Sequence, residues 1–480
     1  IAEVQLTCEA EPAPPGCAPL LTKRLSDASL RLGLEVEPFY RDAKTGAVYP
    51  FLFDDLRRQM AEAFKHTFFT FARQRTRLEP PHFHTMGRCS LDRITREVDR
   101  QLAQIDASFD FLLQITPVNA SEAWEAFQAG DFEKEPVFRY RPLPVDPELL
   151  KRTLFEVPTE RVEDPVLSWI FREKQEELDR RITMLRDRGT RPFFFGSLQL
   201  FGEVQPALLD LADEILDRLP DHEDDYDDSN YFTATEFADV AEQEFDHYRA
   251  TCTDFPDKAQ IRDDMPAGLM VSSGQLLVGE GTTIPASRVN ALLQHEVGTH
   301  MLTYYNGDAQ PLQLFCTGLA GYDALQEGLA VLSEFLVDGL TLARLRVLAA
   351  RVVAAHSLIE GATFVEVFRH LCDVCEFSEK TAYTITMRTF RGGGLIKDVI
   401  YLRGLRELTE YLQEGGELEP LFVGKIALHH VPLLEELAQR GILRPALLRP
   451  RCLDYPSMPA NLERVRSGLT LIDFFEEQLV

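Results

Sequence analysis

Two histidines five residues apart, with a glutamate directly after the first, constrain this chain more than any other feature. The segment is Gln294-His295-Glu296-Val297-Gly298-Thr299-His300, of the form H-E-x-x-x-H. It is one residue longer than the H-E-x-x-H with which zinc metallopeptidases hold their ion. On a regular α-helix an i,i+4 pair lies about 40° apart around the axis, and an i,i+5 pair about 140° apart. Imidazoles that diverge so far cannot share an ion unless the backbone leaves the regular helix. Two local devices would bring them together: a π-bulge, or an unwound last turn that puts His300 outside the helix. Gly298 lies between the histidines, where backbone deformation costs least. The competing reading is chance, since the chain contains 11 His.

The surroundings favour the metal. The run AGLMVSSGQLLVGEGTTIP, upstream of the pair, predicts two short strands joined at Ser-Ser-Gly. An apolar strand pair (269–278) before the histidine helix matches the zincin arrangement, in which an edge strand takes up extended peptide. Downstream, AGYDALQEGLAVLSEFLVDG predicts a helix with Leu325, Leu329, Leu332 and Leu336 on one stripe, and Glu327 breaks into it. A carboxylate among Leu, Ala and Val needs a compensating partner, because burying it unpaired costs several kcal/mol. Zinc is one such partner; an Arg or Lys is the plainer one. His295, His300 and Glu327 together would make a His₂Glu site with a fourth position open for water, the pattern of a catalytic zinc. Glu296 would hold that water as general base. Asp323 and Glu334 are rival carboxylates, and either could instead accept a hydrogen bond from a ligand histidine.

Charge and composition narrow the partners. The 480 residues carry 50 Lys+Arg against 77 Asp+Glu, a net charge of −27. Such a balance argues against general affinity for nucleic acid or anionic membrane. No stretch of 18 apolar residues exists, so a transmembrane helix is not expected. The opening residues lack a basic n-region and an apolar h-region, so no signal peptide is expected. The eight cysteines are spread thinly, which suits a reducing, cytoplasmic setting better than a disulfide scaffold. Cys372 and Cys375 form a lone CxxC and read as core thiols.

Along the chain, residues 1–80 read as an N-terminal extension whose Pro- and Ala-rich start, to about residue 22, is expected to be poorly ordered. LEVEPFY and AVYPFLF suggest a hairpin, and an amphipathic helix follows to about Arg75. Residues 81–480 read as one catalytic domain, with a helical N-terminal portion (81–250) and a metal-site portion (251–480). Residues 91–114 predict a helix with Ser90 as N-cap. A Pro-rich connector covers about 136–165, and FFFGSLQLFGEV (193–204) reads as a strand or loop. The acidic run PDHEDDYDDSN (220–230) reads as a solvated loop, since it lacks the calcium-loop pattern. His82 and His84 lie two apart in a Pro-rich loop, where a structural role is expected. His429 and His430 are adjacent, so they should point apart and chelate poorly. The expected class is α+β, mostly helical and zincin-like, with a small β-sheet preceding the metal-binding helix.

HEVGTH and QEGLA resemble the corresponding segments of the bacterial "flavohemoglobin expression-modulating QEGLA motif" proteins. They are similar also to the eukaryotic microtubule-associated tyrosine carboxypeptidases of the same superfamily. The resemblance runs over about residues 80–410 and takes in LDRITREVDRQLAQIDASFDFLLQITPVNASEAWEAF and TFRGGGLIKDVIYLRG. It implies zinc on His295, His300 and Glu327, with Glu296 catalytic. In the eukaryotic branch the reaction is removal of a C-terminal tyrosine from tubulin; the chain looks closer to the bacterial branch, and nothing in it singles out tubulin.

Within TFRGGGLIKDVIYLRG, Arg388, Arg391 and Lys397 are candidates to anchor a substrate α-carboxylate, which arginine grips bidentately. The glycine run 392–394 would let backbone N–H groups approach an anion. Tyr401, or one of the arginines, could polarise the scissile carbonyl. The expected function is that of a zinc-dependent carboxypeptidase acting on a peptide or protein C-terminus, with no nucleic-acid or membrane partner. The alternatives are another zinc amidase or endopeptidase, and a regulatory protein with a structural zinc site.

Overall fold

The computed structural model describes residues 36–219 and 230–473. The Pro-rich start and the acidic run up to Ser229 lie outside the described residues. The chain divides into two compact units, one ending at Glu62 and one running from Ala63 to Val480. In the first, the expected hairpin is, among the described residues, a single antiparallel bridge between Arg41 and Val48, closed by a turn in which Asp42 accepts from Thr45 N at 2.7 Å and Tyr49 Oη at 2.9 Å. Its second arm is helical instead, because Pro50 opens a helix that runs to Arg75.

Among its described residues the larger unit is mostly helical with two small sheets, an α+β architecture. β1 (Tyr231–Thr233) pairs antiparallel with β5 (Thr283–Pro285). β2 (Gln260–Arg262), β4 (Gln275–Gly279) and β3 (Leu269–Ser272) form a second sheet with β4 central, parallel to β2 and antiparallel to β3. β3 and β4 are joined at Ser273-Gly274, both with positive φ (48° and 75°), as a tight two-residue hairpin requires. β5 leads directly into the Ala286–His295 helix, so the sheets precede the H-E-x-x-x-H segment as expected.

Several local expectations are corrected. Helix 91–114 is two helices, Arg93–Ala107 and Phe111–Ile115, each capped by an aspartate (Asp92 and Asp110) accepting a backbone N–H three residues on; Ser90 is not the cap. The Pro-rich connector contains a helix, Pro147–Phe155, because Asp146 caps it and Pro147 suits its first turn. FFFGSLQLFGEV is helical: Arg191–Phe201 starts at Thr190 with Pro192 in the first turn and ends at Gly202, whose φ is 73°. Its apolar run was long enough for either structure, and the flanking Pro and Gly decide for helix.

Two helices form the spine of the site. Tyr322–Leu336 carries QEGLA and is buried from Leu325 to Leu336. It crosses Val399–Gln413 at a pair of glycines, where a Cβ on Gly328 would lie 2.5 Å from the Gly404 backbone and one on Gly404 would lie 1.9 Å from Ala324 O. Only glycine permits backbones to approach this closely. No helix among the described residues is long and apolar enough to cross a membrane.

Candidate metal centre

The Ala286–His295 helix does not continue regularly. Residues Glu296–Met301 form a π-helical turn, and a regular helix resumes at Leu302–Asp308. Of the two devices open on spacing alone, the structure uses the π-bulge. Thr299 Oγ1 donates to Gln294 O, five residues back, at 2.9 Å. A Cβ on Gly298 would come 2.9 Å from Gln294 Oε1, so the small residue lies where the widened turn is tightest. The extra residue is absorbed, and the two imidazoles meet with ring centroids 5.0 Å apart.

Glu327 enters from the QEGLA helix. Its Oε2 lies 3.6 Å from His300 Nε2 and 4.0 Å from His295 Nε2, and the three donor atoms lie within 4.8 Å of one another. Glu327 is 8% exposed, and its Oε2 has no hydrogen-bond partner. Burial by itself would raise its pKa, but Lys397 and the two imidazoles outweigh it and hold the carboxyl well below the usual range. The same carboxylate raises the pKa of His300 against the effect of burial. Glu296, also buried, has Oε1 4.0 Å from His295 Nε2.

Glu334, two turns past Glu327, does what a rival carboxylate was allowed to do. Its Oε1 is 2.8 Å from His295 Nδ1, and Arg288 Nη2 donates to its Oε2 at 2.5 Å. Burial opposes its ionisation, but Arg344 and Arg288 override that and keep it anionic. An anionic Glu334 accepts the Nδ1 proton, which leaves the Nε2 lone pair of His295 facing Glu327 and His300. Asp323 turns elsewhere: Arg181 Nη2 donates to it at 2.6 Å, and Lys397 Nζ lies 3.4 Å away.

The remaining candidates gather beside this cluster. Lys397 Nζ donates to Glu327 Oε1 at 3.2 Å. Arg388 makes two hydrogen bonds to Asp398, one of them Nη2 to Oδ1 at 2.9 Å. Arg391 donates to Thr116 Oγ1 at 3.2 Å, and its Nε has no partner. Tyr401 is flanked by Lys397 and by Arg351, the latter 4.9 Å from its ring centroid. Burial and the negative charge of Glu327 raise the pKa of its phenol. Arg351 and Arg344, on the Leu342–Ile359 helix, were missed. Both are charges inside an apolar helical run, the signal that had exposed Glu327. Arg351 Nε is unpartnered and 3.7 Å from Asp398 Oδ2. Burial and then Arg388 push Arg351 and Arg391 down to about 10. Arg388 and Arg351 thus lie 2.9 and 3.7 Å from Asp398, and the charge of Arg391 also acts to keep that carboxyl ionised.

The glycine run is a packing joint rather than an open anion nest. Gly392 N donates to Tyr140 Oη at 2.8 Å and Gly394 N to Arg391 O at 3.3 Å. A Cβ on Gly392 would strike the Phe193 ring at 2.6 Å. The adjacent histidines are also corrected: on the tight 3₁₀ turn Leu428–His430 both Nε2 atoms converge on Glu173, at 3.3 and 2.9 Å. Ala427 N donates to His430 Nδ1, which puts the proton of the neutral ring on Nε2, toward Glu173, and Glu173, His429 and His430 form a second group close enough to hold a cation. His82 takes the structural role expected of it, capping a short turn at His84 N. Cys372 and Cys375 are free thiols whose pKa burial raises to about 11.

Fold and site together define a mostly helical α+β protein built around a buried cluster of two imidazoles and a carboxylate. The microtubule-associated tyrosine carboxypeptidase family matches residues 125–469, a span that contains every residue of that cluster, and the chain belongs to this family. No curated protein sequence matches it.

Proposed function

We propose that the chain is a zinc-dependent carboxypeptidase of zincin-like fold that releases a C-terminal residue, tyrosine being the one its family's name specifies. The observation that carries this reading is the convergence of His295 Nε2, His300 Nε2 and an otherwise unpartnered Glu327 Oε2 inside one 4.8 Å cluster. Ligands around tetrahedral zinc sit about 3.3 Å apart, given bonds of about 2.0–2.2 Å. The 3.6 and 4.0 Å separations therefore fit an ion after a small contraction. Among the described residues no fourth His, Cys, Asp or Glu joins the three, which supports a catalytic rather than a structural site.

Zinc, when bound, supplies a Lewis acid that polarises the scissile carbonyl and acidifies a coordinated water. Glu296 takes the proton of the attacking water and passes it to the departing amine. Arg351 and Arg391, whose Nε atoms have no hydrogen-bond partner, hold the free α-carboxylate of the substrate beside the Arg388–Asp398 pair and so select a chain end. Tyr401 donates its phenolic proton toward the carbonyl oxygen as negative charge develops there. The test is Glu296→Gln on a library of peptides with free C-termini. The variant is expected to keep zinc and lose release of the terminal residue; retained turnover removes Glu296 as base.

A further inference from the structure

We propose that Lys397 is a positioning residue for Glu327: it occupies one carboxylate oxygen and so makes Glu327 a single-oxygen donor toward the two imidazoles. The inference rests on the zinc reading above and states how that site keeps a position open.

The two oxygens of Glu327 are in different chemical states. Oε1 accepts from Lys397 Nζ at 3.2 Å, while Oε2 has no partner and faces both imidazoles. Lys397 is 3% exposed and not free to wander. Its ammonium also lies 3.4 Å from Asp323, which receives Arg181 Nη2 at 2.6 Å. Arg181 in turn lies 3.3 Å from Glu177, and Lys174 bridges Glu177 and Asp106 at 2.9 and 2.8 Å. The ammonium is thus the last member of a buried row of alternating charges that reaches back into the Pro165–Arg186 helix. Such a row fixes position because moving any member leaves a buried charge uncompensated.

A carboxylate with both oxygens free can chelate a cation with both and fill the place that water and substrate need. Outer contacts that orient a ligand typically affect metal affinity or activity by about 10–100-fold. Lys397 is also poorly placed to anchor a substrate, because to reach an incoming carboxylate it would have to abandon two buried ones. Anchoring passes to Arg351 and Arg391, whose Nε atoms have no hydrogen-bond partner, while Arg388 stays on Asp398.

The test compares wild type with Lys397→Met, Lys397→Arg and Glu327→Ala. Three readouts are taken: zinc affinity by chelator competition, the visible spectrum of the Co²⁺-substituted protein, and kinetics on a short peptide ending in free tyrosine beside its C-terminal amide. Positioning predicts that Lys397→Met alters the Co²⁺ spectrum or the zinc affinity and lowers kcat by 10-fold or more. It leaves KM and the preference for acid over amide intact, and Lys397→Arg restores part of the loss. Unchanged metal readouts, or a lost preference for the free acid, overturn the proposal. If Lys397→Met does not fold, Asp323→Asn, which removes the second support of the ammonium, must move the Co²⁺ spectrum in its place; an unmoved spectrum overturns the proposal equally. Glu327→Ala separates the two readings, since wild-type zinc affinity in that variant sinks the zinc site itself, whatever Lys397 does.

Discussion

The crossing of Tyr322–Leu336 over Val399–Gln413 sets how closely Glu327 approaches Lys397 and Tyr401, and one methyl group tests it. In Gly404→Ala the new Cβ would sit 1.9 Å from Ala324 O, where real Cβ contacts are essentially never under 3.0 Å. Opening that contact to 3.0 Å takes a shift of about 1.1 Å, and the obstacle is helix backbone that cannot swing aside. Overpacking of this kind costs about 1–3 kcal/mol, or about 1–3 °C in melting temperature for a domain this large. The effect on turnover should be larger, because a displacement of about 1 Å at a reacting centre costs about 100-fold. Differential scanning fluorimetry and hydrolysis of a free-acid peptide measure the two. Gly281→Ala is the control: its Cβ would meet only Ala267 Cβ, at 3.9 Å, and both readouts should stay at wild-type values. Wild-type turnover and melting in Gly404→Ala would refute the claim that this crossing holds the site in register.

Two further predictions concern groups away from the three proposed ligands. Arg351→Gln removes one of the guanidiniums on Asp398; a hydrogen bond to a charged group is worth about 1.5–3 kcal/mol, so KM for a free-acid peptide should rise about 10–100-fold while the amide is little affected. Equal effects on acid and amide would remove Arg351 from the anchor. Asp99 is 3% exposed, and burial raises its pKa to about 6 despite the N–H groups of Gln313 and Leu314 at 2.7 and 3.1 Å. Because the folded pKa is the higher one, its contribution is fully present below about pH 4 and is lost as pH rises through about 6. Asp99→Asn lacks this dependence, so the stability of wild type relative to the variant should fall by up to about 3 kcal/mol between pH 4 and 8. A difference that stays constant with pH in denaturant titrations contradicts the assignment.

What the sequence made legible were features with a local physical signature. The five-residue gap demanded a departure from the regular helix, and the π turn Glu296–Met301 supplies it. Glu327 stood out as an acid in an apolar stripe and lies against both imidazoles. Features that depend on distant partners stayed hidden. Arg351 meets Asp398 across 47 positions, and Glu173 meets His430 across 257, and no spacing rule reaches that far. Lys397 was noticed as a cation near glycines, but its engagement with Glu327 and Asp323 appears only once two helices are packed. The Arg191–Phe201 helix was misread because a short apolar run satisfies both periodicities, and the glycine run because positive φ values do not reveal what the N–H groups already bond.

The most direct test of the account is zinc content, measured by mass spectrometry on purified wild type and Glu327→Ala, with folding of both checked by their melting curves. Wild type should carry about one zinc per chain and Glu327→Ala far less, because the variant removes the carboxylate oxygen that faces both imidazoles. Equal zinc in the two proteins, or none in a folded and freshly prepared wild type, would contradict a metal held by His295, His300 and Glu327.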